Sequence, residues 1–254
     1  MVVEHYGVSA PNAPDKGYSP EHQFGLPVFG VFSWQVGRKT SIVDCNTGIF
    51  VRGGEEFSEM HPARKIGHSG LLVTPAHDLL DELAGGRRAV LSEIFAADTR
   101  PASAVAQLCA HRLVCAGDTM TPLEVEECGI EFATALLRSD QPPINGSKRI
   151  IDRTKELLHE LDCEPLSLAE VAAVVGVTPI YLTQSFKRAE GIPLYKYQSR
   201  LRMSRALAEV PFVESLVALA FELGYSSHSH FAAAFRSQFG FTPSDYRSRM
   251  RAAA

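Results

Sequence analysis

Two stretches in the last hundred residues decide the fold of this chain: VAAVVGV at residues 171–177 and LAFELGY at residues 219–225. Each is followed by a short polar turn and then by a second run with helical apolar spacing. The two copies are 48 residues apart up to the turn and 49 beyond it. A repeat at this period indicates two copies of one supersecondary unit.

The first copy can be interpreted residue by residue. Ser167 followed by Glu170 forms a capping box, so a helix begins directly after Ser167. Gly176 ends that helix, because glycine accepts the positive φ of a sharp turn. Thr178 caps the next helix, and Pro179 occupies its first position. The copy therefore predicts a helix, a short glycine turn and a second helix.

The second helix of each copy has an apolar face and a polar face. Leu182 and Phe186 turn inward in the first copy, as Phe231, Phe235 and Phe239 do in the second. The outward residues of the first copy are Ile180, Thr183, Gln184 and Lys187. This is helix-turn-helix geometry, in which the second helix enters the major groove of DNA. A helical bundle without a nucleic-acid role is the alternative, and two copies in register argue against it.

A long helix is predicted between the two copies, over residues 194–209. Sixteen residues span about 24 Å, less than the roughly 34 Å between successive major-groove faces. Two units joined in this way reach adjacent turns if the DNA bends.

Charge is distributed unevenly along the 254 residues. Residues 1–147 carry 11 Lys and Arg against 18 Asp and Glu, a net charge of −7, and residues 148–254 carry 14 against 11, a net charge of +3. The basic half is the candidate partner of nucleic acid. Because we find neither a membrane-length apolar run nor a secretory signal, we expect a cytoplasmic protein without membrane contact.

The chain is predicted to be an α+β protein with two domains. Residues 1–22 are interpreted as a mobile arm. Residues 23–138 begin with short apolar runs, including 26–34, 41–45, 48–52 and 69–74, typical of a small β-sandwich or barrel. Helices are expected after them, over residues 76–83, 101–116 and 122–138. Residues 139–147 form the linker, and residues 148–254 form the all-α domain with both helix-turn-helix units.

The C-terminal part resembles the AraC/XylS family of bacterial transcription regulators. The resemblance covers roughly residues 150–249 and is most specific over residues 220–246. The matching residues of that stretch are Gly224-Tyr225, His230-Phe231, Phe235-Arg236, Phe239-Gly240 and Thr242-Pro243-Ser244-Asp245-Tyr246. The resemblance implies sequence-specific DNA binding, a transcription regulator rather than an enzyme, and no cofactor.

The resemblance also implies roles for exposed residues. Base contacts are expected from Ile180, Thr183 and Gln184 in the first unit and from His228, Ser229 and Ala233 in the second. Glutamine can pair with adenine, and isoleucine can touch a thymine methyl group. Because the run 232–234 is all alanine, the first unit is expected to read more sequence. Phosphate contacts are expected from Lys187, Arg200, Arg202 and Arg236.

In this family the other domain usually senses a small molecule or mediates dimerisation, often as a cupin-like β-barrel, and residues 51–73 are loosely similar to such domains. An effector pocket would be lined by Phe29, Phe32, Trp34, Phe50 and Phe57, although aromatic residues in a β-core are more often only core. His61 and His68 do not form the motif of a metal-binding cupin enzyme, so no metal is expected.

The five cysteines favour free thiols over a disulfide framework. Cys45 is a candidate redox sensor. Cys109, His111 and Cys115 lie on one predicted helix, where His111 and Cys115 could bind a soft metal. Two buried thiols and a surface histidine are the plainer interpretation.

Two functional hypotheses follow. The first is a ligand-responsive transcription regulator, an activator that binds DNA as a homodimer and contacts RNA polymerase. The alternative is a DNA-binding dimer without an effector, regulated by its abundance or by a protein partner. A pocket in the N-terminal domain would favour the first, and a filled core the second. An enzyme fused to a DNA-binding domain lacks support, because the sequence contains neither a phosphate-binding glycine loop nor a serine elbow.

Overall fold

The computed structural model describes residues 1–9, 14–61, 67–83, 93–95, 98–116, 119–138, 148–161 and 166–253. The chain divides into two compact units, Met1–Pro143 and Ile144–Ala254, and each is described by itself. The predicted linker at residues 139–147 and Cys163 lie outside the described residues.

The described part of the first unit contains nine strands in two antiparallel sheets. The strands are β1 (Val2–Val8), β2 (Asp15–Tyr18), β3 (Gln23–Phe29), β4 (Val31–Val36), β5 (Lys39–Asp44), β6 (Thr47–Val51), β7 (Glu56–Met60), β8 (His68–Thr74) and β9 (Thr99–Pro101). The five-stranded sheet has the order β1-β8-β3-β6-β9, and the four-stranded sheet has the order β2-β7-β4-β5.

The predicted cupin-like barrel is not confirmed, because the described strands form two open sheets and no closed barrel. The sheets pack face to face. Phe32 and Trp34 of β4 meet Ile49 and Val51 of β6 in the core between them. This arrangement is a β-sandwich, which the sequence pattern allowed as the alternative to a barrel.

Gly30 moves the chain from one sheet to the other. It has a φ of 80°, and a Cβ atom there would lie 2.1 Å from the carbonyl oxygen of Gly67. Only glycine fits this turn without strain. The single apolar run predicted over residues 26–34 is therefore two strands, β3 and β4, in different sheets.

The predicted mobile arm at residues 1–22 is wrong for its described part. β1 pairs with β8 along its whole length, and β2 pairs with β7. Both are edge strands, and most of their side chains are exposed or half-buried. Their apolar alternation is consequently weak, and backbone pairing with distant strands holds them in place.

Helices cover the outer face of the five-stranded sheet. They are α1 (His77–Leu83), α2 (Ala104–Ala116) and α3 (Pro122–Leu137). Phe24 and Leu26 of β3 share a core with Ala106 of α2 and with Phe132 and Leu136 of α3. The unit therefore has three layers: four-stranded sheet, five-stranded sheet and helices.

Two helix predictions in this unit need correction. Pro101 does not begin a helix but ends β9, and α2 starts at Ala104. The Ser103 hydroxyl accepts a hydrogen bond there from the amide of Ala106, at 3.2 Å. The pattern of residues 122–138 also predicts an apolar face formed by Leu123, Ile130, Ala133 and Leu137, but Leu123 is 64% exposed. The helix instead buries the face that carries Cys128, Phe132 and Leu136.

The second unit is helical throughout its described part. Its helices are α4 (Lys148–Glu160), α5 (Leu168–Val175), α6 (Pro179–Glu190), α7 (Leu194–Glu209), α8 (Leu216–Glu222), α9 (His228–Phe239) and α10 (Pro243–Ala253). In the part of the chain that the structure describes, no single helix is long and apolar enough to cross a membrane. Among the described helices, one pair, α5 and α6, passes that test when taken together across an 87° bend.

Candidate nucleic-acid interface

The first helix-turn-helix unit consists of α5 and α6. Ser167 and Glu170 form the predicted capping box: the Ser167 amide donates to the Glu170 carboxylate at 2.7 Å, and the Glu170 amide donates to the Ser167 hydroxyl at 3.3 Å. Gly176 follows α5 with a left-handed φ of 75°. Thr178 then caps α6 by accepting from the amide of Tyr181. The axes of α5 and α6 meet at 87°, close to the angle of helix-turn-helix motifs.

The second unit, α8 and α9, repeats this construction. Gly224 has a φ of 76° and makes the turn. Ser227 caps α9 by accepting a hydrogen bond from the amide of His230 at 3.2 Å. Gly240 ends α9 in the left-handed region, as Gly191 ends α6. Both units are thus fixed at the same points by the same residue types.

A shared scaffold holds the first unit. From α4, Leu157 packs with Val171, Ala172 and Leu182 of the unit. On α6, Phe186 lies in a second cluster with Ile151, Leu158 and Tyr197. Because α4 and α7 hold its buried face, α6 presents its other face to solvent.

The candidate base-reading residues lie on the outer faces of α6 and α9. Ile180 is 72% exposed, and Thr183 and Gln184 are also exposed. On α9, Ser229 and Ala233 are exposed and His228 is half-buried. The Thr183 hydroxyl donates its hydrogen to the carbonyl of Pro179 at 2.9 Å. Towards DNA, Thr183 can therefore offer its hydroxyl oxygen as an acceptor and its methyl group as an apolar contact.

The two faces correspond position by position. The offset of 49 residues aligns Leu182 with Phe231 and Phe186 with Phe235, and all four are fully buried. The same offset aligns the outward pairs Ile180 with Ser229, Thr183 with Ala232, Gln184 with Ala233 and Lys187 with Arg236. The first unit therefore carries polar side chains at Thr183 and Gln184, where the second has alanine, and the second carries a serine where the first has Ile180. Both carry a cation near the C-terminal end of the helix.

The four candidate phosphate contacts divide into two pairs. Lys187 and Arg236 are exposed in the last turns of α6 and α9. Arg200 and Arg202 are half-buried on α7, and Nε of Arg202 is inaccessible to solvent. Lys187 thus lies on the same face of α6 as the candidate base readers, whereas Arg200 and Arg202 belong to a different helix.

Several other arginines of this unit have structural partners. Arg247 donates to the carbonyl of Glu214, and Arg251 donates to the carbonyls of Pro211 and Val213. These bonds tie α10 to the segment between α7 and α8. Charge counting alone cannot separate such arginines from those that face solvent.

Two exposed residues were missed from the candidate set. Arg188 lies in the last turn of α6, one turn after Gln184, and His230 lies in the first turn of α9. Both are exposed. The i, i+4 relation of Arg188 to Gln184 is the signal that could have found it.

The five aromatic residues predicted to line an effector pocket do not lie together. Phe32, Trp34 and Phe57 meet between the two sheets, where the Trp34 and Phe57 rings stack at 4.3 Å. Phe50 belongs to the core on the opposite face of its sheet, and Phe29 is 58% exposed. Only three of the five share one side of one sheet.

The predicted thiol sites lie in the core. Cys45, Cys109 and Cys128 are buried and Cys115 is half-buried, all as free thiols. His111 is also buried, at 1% exposure, so the surface histidine expected on this helix is wrong. Among the described residues, no group of three His, Cys, Asp or Glu side chains is arranged to hold a metal ion.

Two capped helix pairs, each with a supported inner face and an open outer face, define a DNA-binding protein of the helix-turn-helix class. A family model described as a helix-turn-helix domain matches residues 151–249. That range contains α5 to α9 and nearly all of α4.

Known transcription regulators are similar to this part of the chain. Regulatory protein SoxS of Salmonella typhimurium is 33% identical over 104 residues, which cover 41% of this chain and 97% of SoxS. The transcriptional activator RhaR of Klebsiella pneumoniae is 24% identical over 139 residues, 54% of this chain and 50% of RhaR. A solved AraC-type transcriptional regulator from Chromobacterium violaceum is 30% identical over 41% of this chain and 94% of its own, with a TM-score of 0.39.

This chain belongs to the AraC/XylS family of transcription regulators. It is a DNA-binding regulator and not an enzyme.

Proposed function

We propose that this protein is a transcription activator that reads a specific DNA sequence mainly through α6. Its DNA contacts are supplemented by α9, and its activity responds to a small-molecule effector in the first unit. The observation that carries the proposal is the polar, exposed face of α6 at Thr183, Gln184 and Lys187, on a helix whose opposite face is fully buried.

Base reading is assigned to Ile180, Thr183 and Gln184 on α6 and to His228, Ser229 and Ala233 on α9. Gln184 offers the amide that pairs with adenine, and Ile180 offers an apolar contact to a thymine methyl group. Because Ala233 stands where α6 has Gln184, the half-site under α9 is expected to tolerate more base changes.

Lys187 and Arg236 are assigned to phosphate contacts, with Arg200 and Arg202 as further candidates. Such contacts orient the protein on the duplex and make binding depend on salt. The exposure of Lys187 and Arg236 favours them over the two half-buried α7 arginines.

The proposal includes two partners besides DNA: RNA polymerase and a second copy of this chain. RhaR is described as a transcriptional activator, and activation by this chain would require contact with RNA polymerase. The expected role of the first unit in dimerisation supports a homodimer, and a DNA-binding regulator is expected to act in the cytoplasm. In the alternative, the protein is an effector-independent DNA-binding dimer regulated by its abundance or by a protein partner. The separation of Phe29 and Phe50 from the other aromatic residues favours that alternative.

The DNA assignment is tested by selecting a binding site from a genomic fragment pool with the full-length protein, followed by footprinting. Gln184→Ala is expected to relax base preference at one position, by about 1–3 kcal/mol of discrimination. Lys187→Ala is expected to weaken all sites alike and to lower the slope of log affinity against log salt by about 1.

Lys16→Ala is the matched control for Lys187→Ala. It removes the same charge from an exposed position on β2 in the other unit, so the salt slope should not change. Unaltered base preference in Gln184→Ala would reject the role given to that side chain. Absence of salt-sensitive binding to any fragment, with or without cell extract, would reject sequence-specific binding by α6 and α9.

A further inference from the structure

A chain of polar side chains lies inside the first unit, between the two sheets. Nε2 of His61 lies 2.8 Å from Nδ1 of His68, and Nε2 of His68 lies 3.2 Å from Oε2 of Glu59. The two histidines are 8% and 2% exposed. Tyr6 meets the His68 ring edge-on at 5.4 Å, so β1, β7 and β8 all contribute to one cluster.

Aromatic rings adjoin this chain. Phe32 stacks on His68 at 4.0 Å, and Trp34 meets Phe32 edge-on at 6.3 Å. Trp34 lies directly opposite Glu59 in the β4–β7 register, which places the two side chains on the same face of the sheet. The cluster is therefore continuous from Tyr6 to Phe57, which stacks on Trp34.

Four polar atoms of this cluster are buried and have no hydrogen-bond partner among the described residues: Oη of Tyr6, Nε1 of Trp34, Nδ1 of His61 and Nε2 of His68. The last of these lies near the Glu59 carboxylate without forming an aligned hydrogen bond. Leaving one such atom unpaired costs stability, and a core used only for packing would replace it with an apolar group. Four such atoms in one cluster indicate a site whose hydrogen bonds are completed by another molecule.

The chemistry of these atoms restricts that molecule. The indole N–H of Trp34 can only donate. Burial raises the pKa of the Tyr6 hydroxyl, which keeps it protonated as a donor. The ligand must therefore offer acceptors to Tyr6 and Trp34. Phe32 stacks on His68 and Trp34 stacks on Phe57, so aromatic rings surround these donors and favour a planar, apolar ligand.

Charge restricts it further. The Glu59 carboxylate already faces His68. Burial lowers the pKa of His61, and the nearby His68 lowers it further, against an opposing effect of Glu59. His61 is thus neutral near pH 7, and the donors supply no positive charge to balance an anion, whose transfer into this interior would be costly.

We propose that the cluster of Tyr6, Trp34, His61 and His68 is a binding site for an uncharged planar molecule with hydrogen-bond-accepting oxygen, such as a neutral aromatic carbonyl compound. This inference deepens the proposed effector response by naming the residues and the ligand class. It also replaces Phe29 and Phe50, which lie outside this interior, as candidate lining residues.

Trp34 is the only tryptophan of the chain, so intrinsic fluorescence of the full-length protein reports on this site directly. Benzamide is the probe, compared with benzoate, which has the same ring and a charge, and with toluene, which has no acceptor. Benzamide should change the emission saturably. Benzoate and toluene should bind at least about tenfold more weakly, the factor that corresponds to about 1.4 kcal/mol.

Tyr6→Phe removes one donor and keeps the ring. We expect it to weaken benzamide binding about tenfold. Tyr18→Phe makes the same change at a 62% exposed position and should leave benzamide binding unaltered. Trp34→Phe, followed by calorimetry, should weaken binding similarly, and thermal melting checks that each variant is folded.

The proposal is overturned by equal binding of benzoate or toluene, by the absence of a saturable response to benzamide, or by wild-type affinity in folded Tyr6→Phe. DNA binding is measured on the same preparations by fluorescence anisotropy. Intact DNA binding without a benzamide response rejects this site alone, whereas a saturable benzamide response without DNA binding supports the site and rejects the proposed DNA reading.

Discussion

His111 is a fully buried titratable residue in α2. Burial lowers the pKa of its imidazole from 6.5 to about 4, so the folded protein binds this proton less readily than the unfolded chain does. Its contribution to stability is present above about pH 6.5 and is lost as the pH falls towards 4. The first unit should lose about 3 kcal/mol over that range through this residue.

The measurement is chemical unfolding of the full-length protein at a series of pH values. His111→Gln removes the titrating group and should flatten this dependence, leaving contributions of the same sign from His22 and His61, whose pKa values burial also lowers. His5→Gln, at an exposed position on β1, is the control. An unchanged pH profile in His111→Gln would show that His111 does not carry the effect.

Single glycines set the turns of both helix pairs. Gly176 and Gly224 have φ values of 75° and 76°, a region that other residues enter at a cost. Each turn therefore depends on one position, which explains why a glycine at the same place in both copies is such an informative sequence signal.

Among the helices, α4 is attached to α6 by a buried ion pair. Nζ of Lys155 lies 2.9 Å from Oε1 of Glu190, with side chains 7% and 17% exposed. Lys155→Met should destabilise the second unit by about 3 kcal/mol, because it leaves a shielded carboxylate without its cation. Adding Glu190→Gln should recover part of that loss, a non-additivity measurable in a double-mutant cycle.

The exposed pairs of Arg153 provide the comparison on the same helix. Arg153 lies 3.3 Å from both Glu156 and Glu160, with its side chain 47% exposed. Water screens such pairs, so Arg153→Met should cost less than about 1 kcal/mol. If the Lys155 and Arg153 variants lost the same free energy of unfolding, the buried α4–α6 ion pair would matter no more to stability than an exposed pair does.

At the scale of the whole molecule, the two compact units imply separable activities. A fragment of residues 148–254 is expected to unfold cooperatively by itself and to protect the same bases in a footprint as the full-length protein does. Its affinity for a two-part site should be lower, because the proposed dimer contact of the first unit is lost.

Footprinting and thermal melting of the fragment check this expectation. A fragment that does not fold would show that the helical unit depends on the first unit. Equal affinity of fragment and full-length protein would argue against dimerisation through residues 1–138.

The helical half was largely predictable because its decisive signals are local. The capping box at Ser167, the cap at Thr178 and the limits of α7 follow from neighbours within four residues. The burial of Leu182 and Phe231 follows from helical periodicity. Helical periodicity also predicted which residues of α6 are exposed, although Arg188 was not among those named.

The sequence alone therefore determined the two helix-turn-helix units and the regulator family, since helix caps, glycine turns and 3.6-residue periodicity act over a few residues. Tertiary structure decided the β-unit. Pairing to β8 turned residues 2–8 into a strand, Gly30 divided one apolar run between two sheets, and His61 met His68 from another strand. These features depend on backbone pairing and packing between distant segments, which no local pattern encodes.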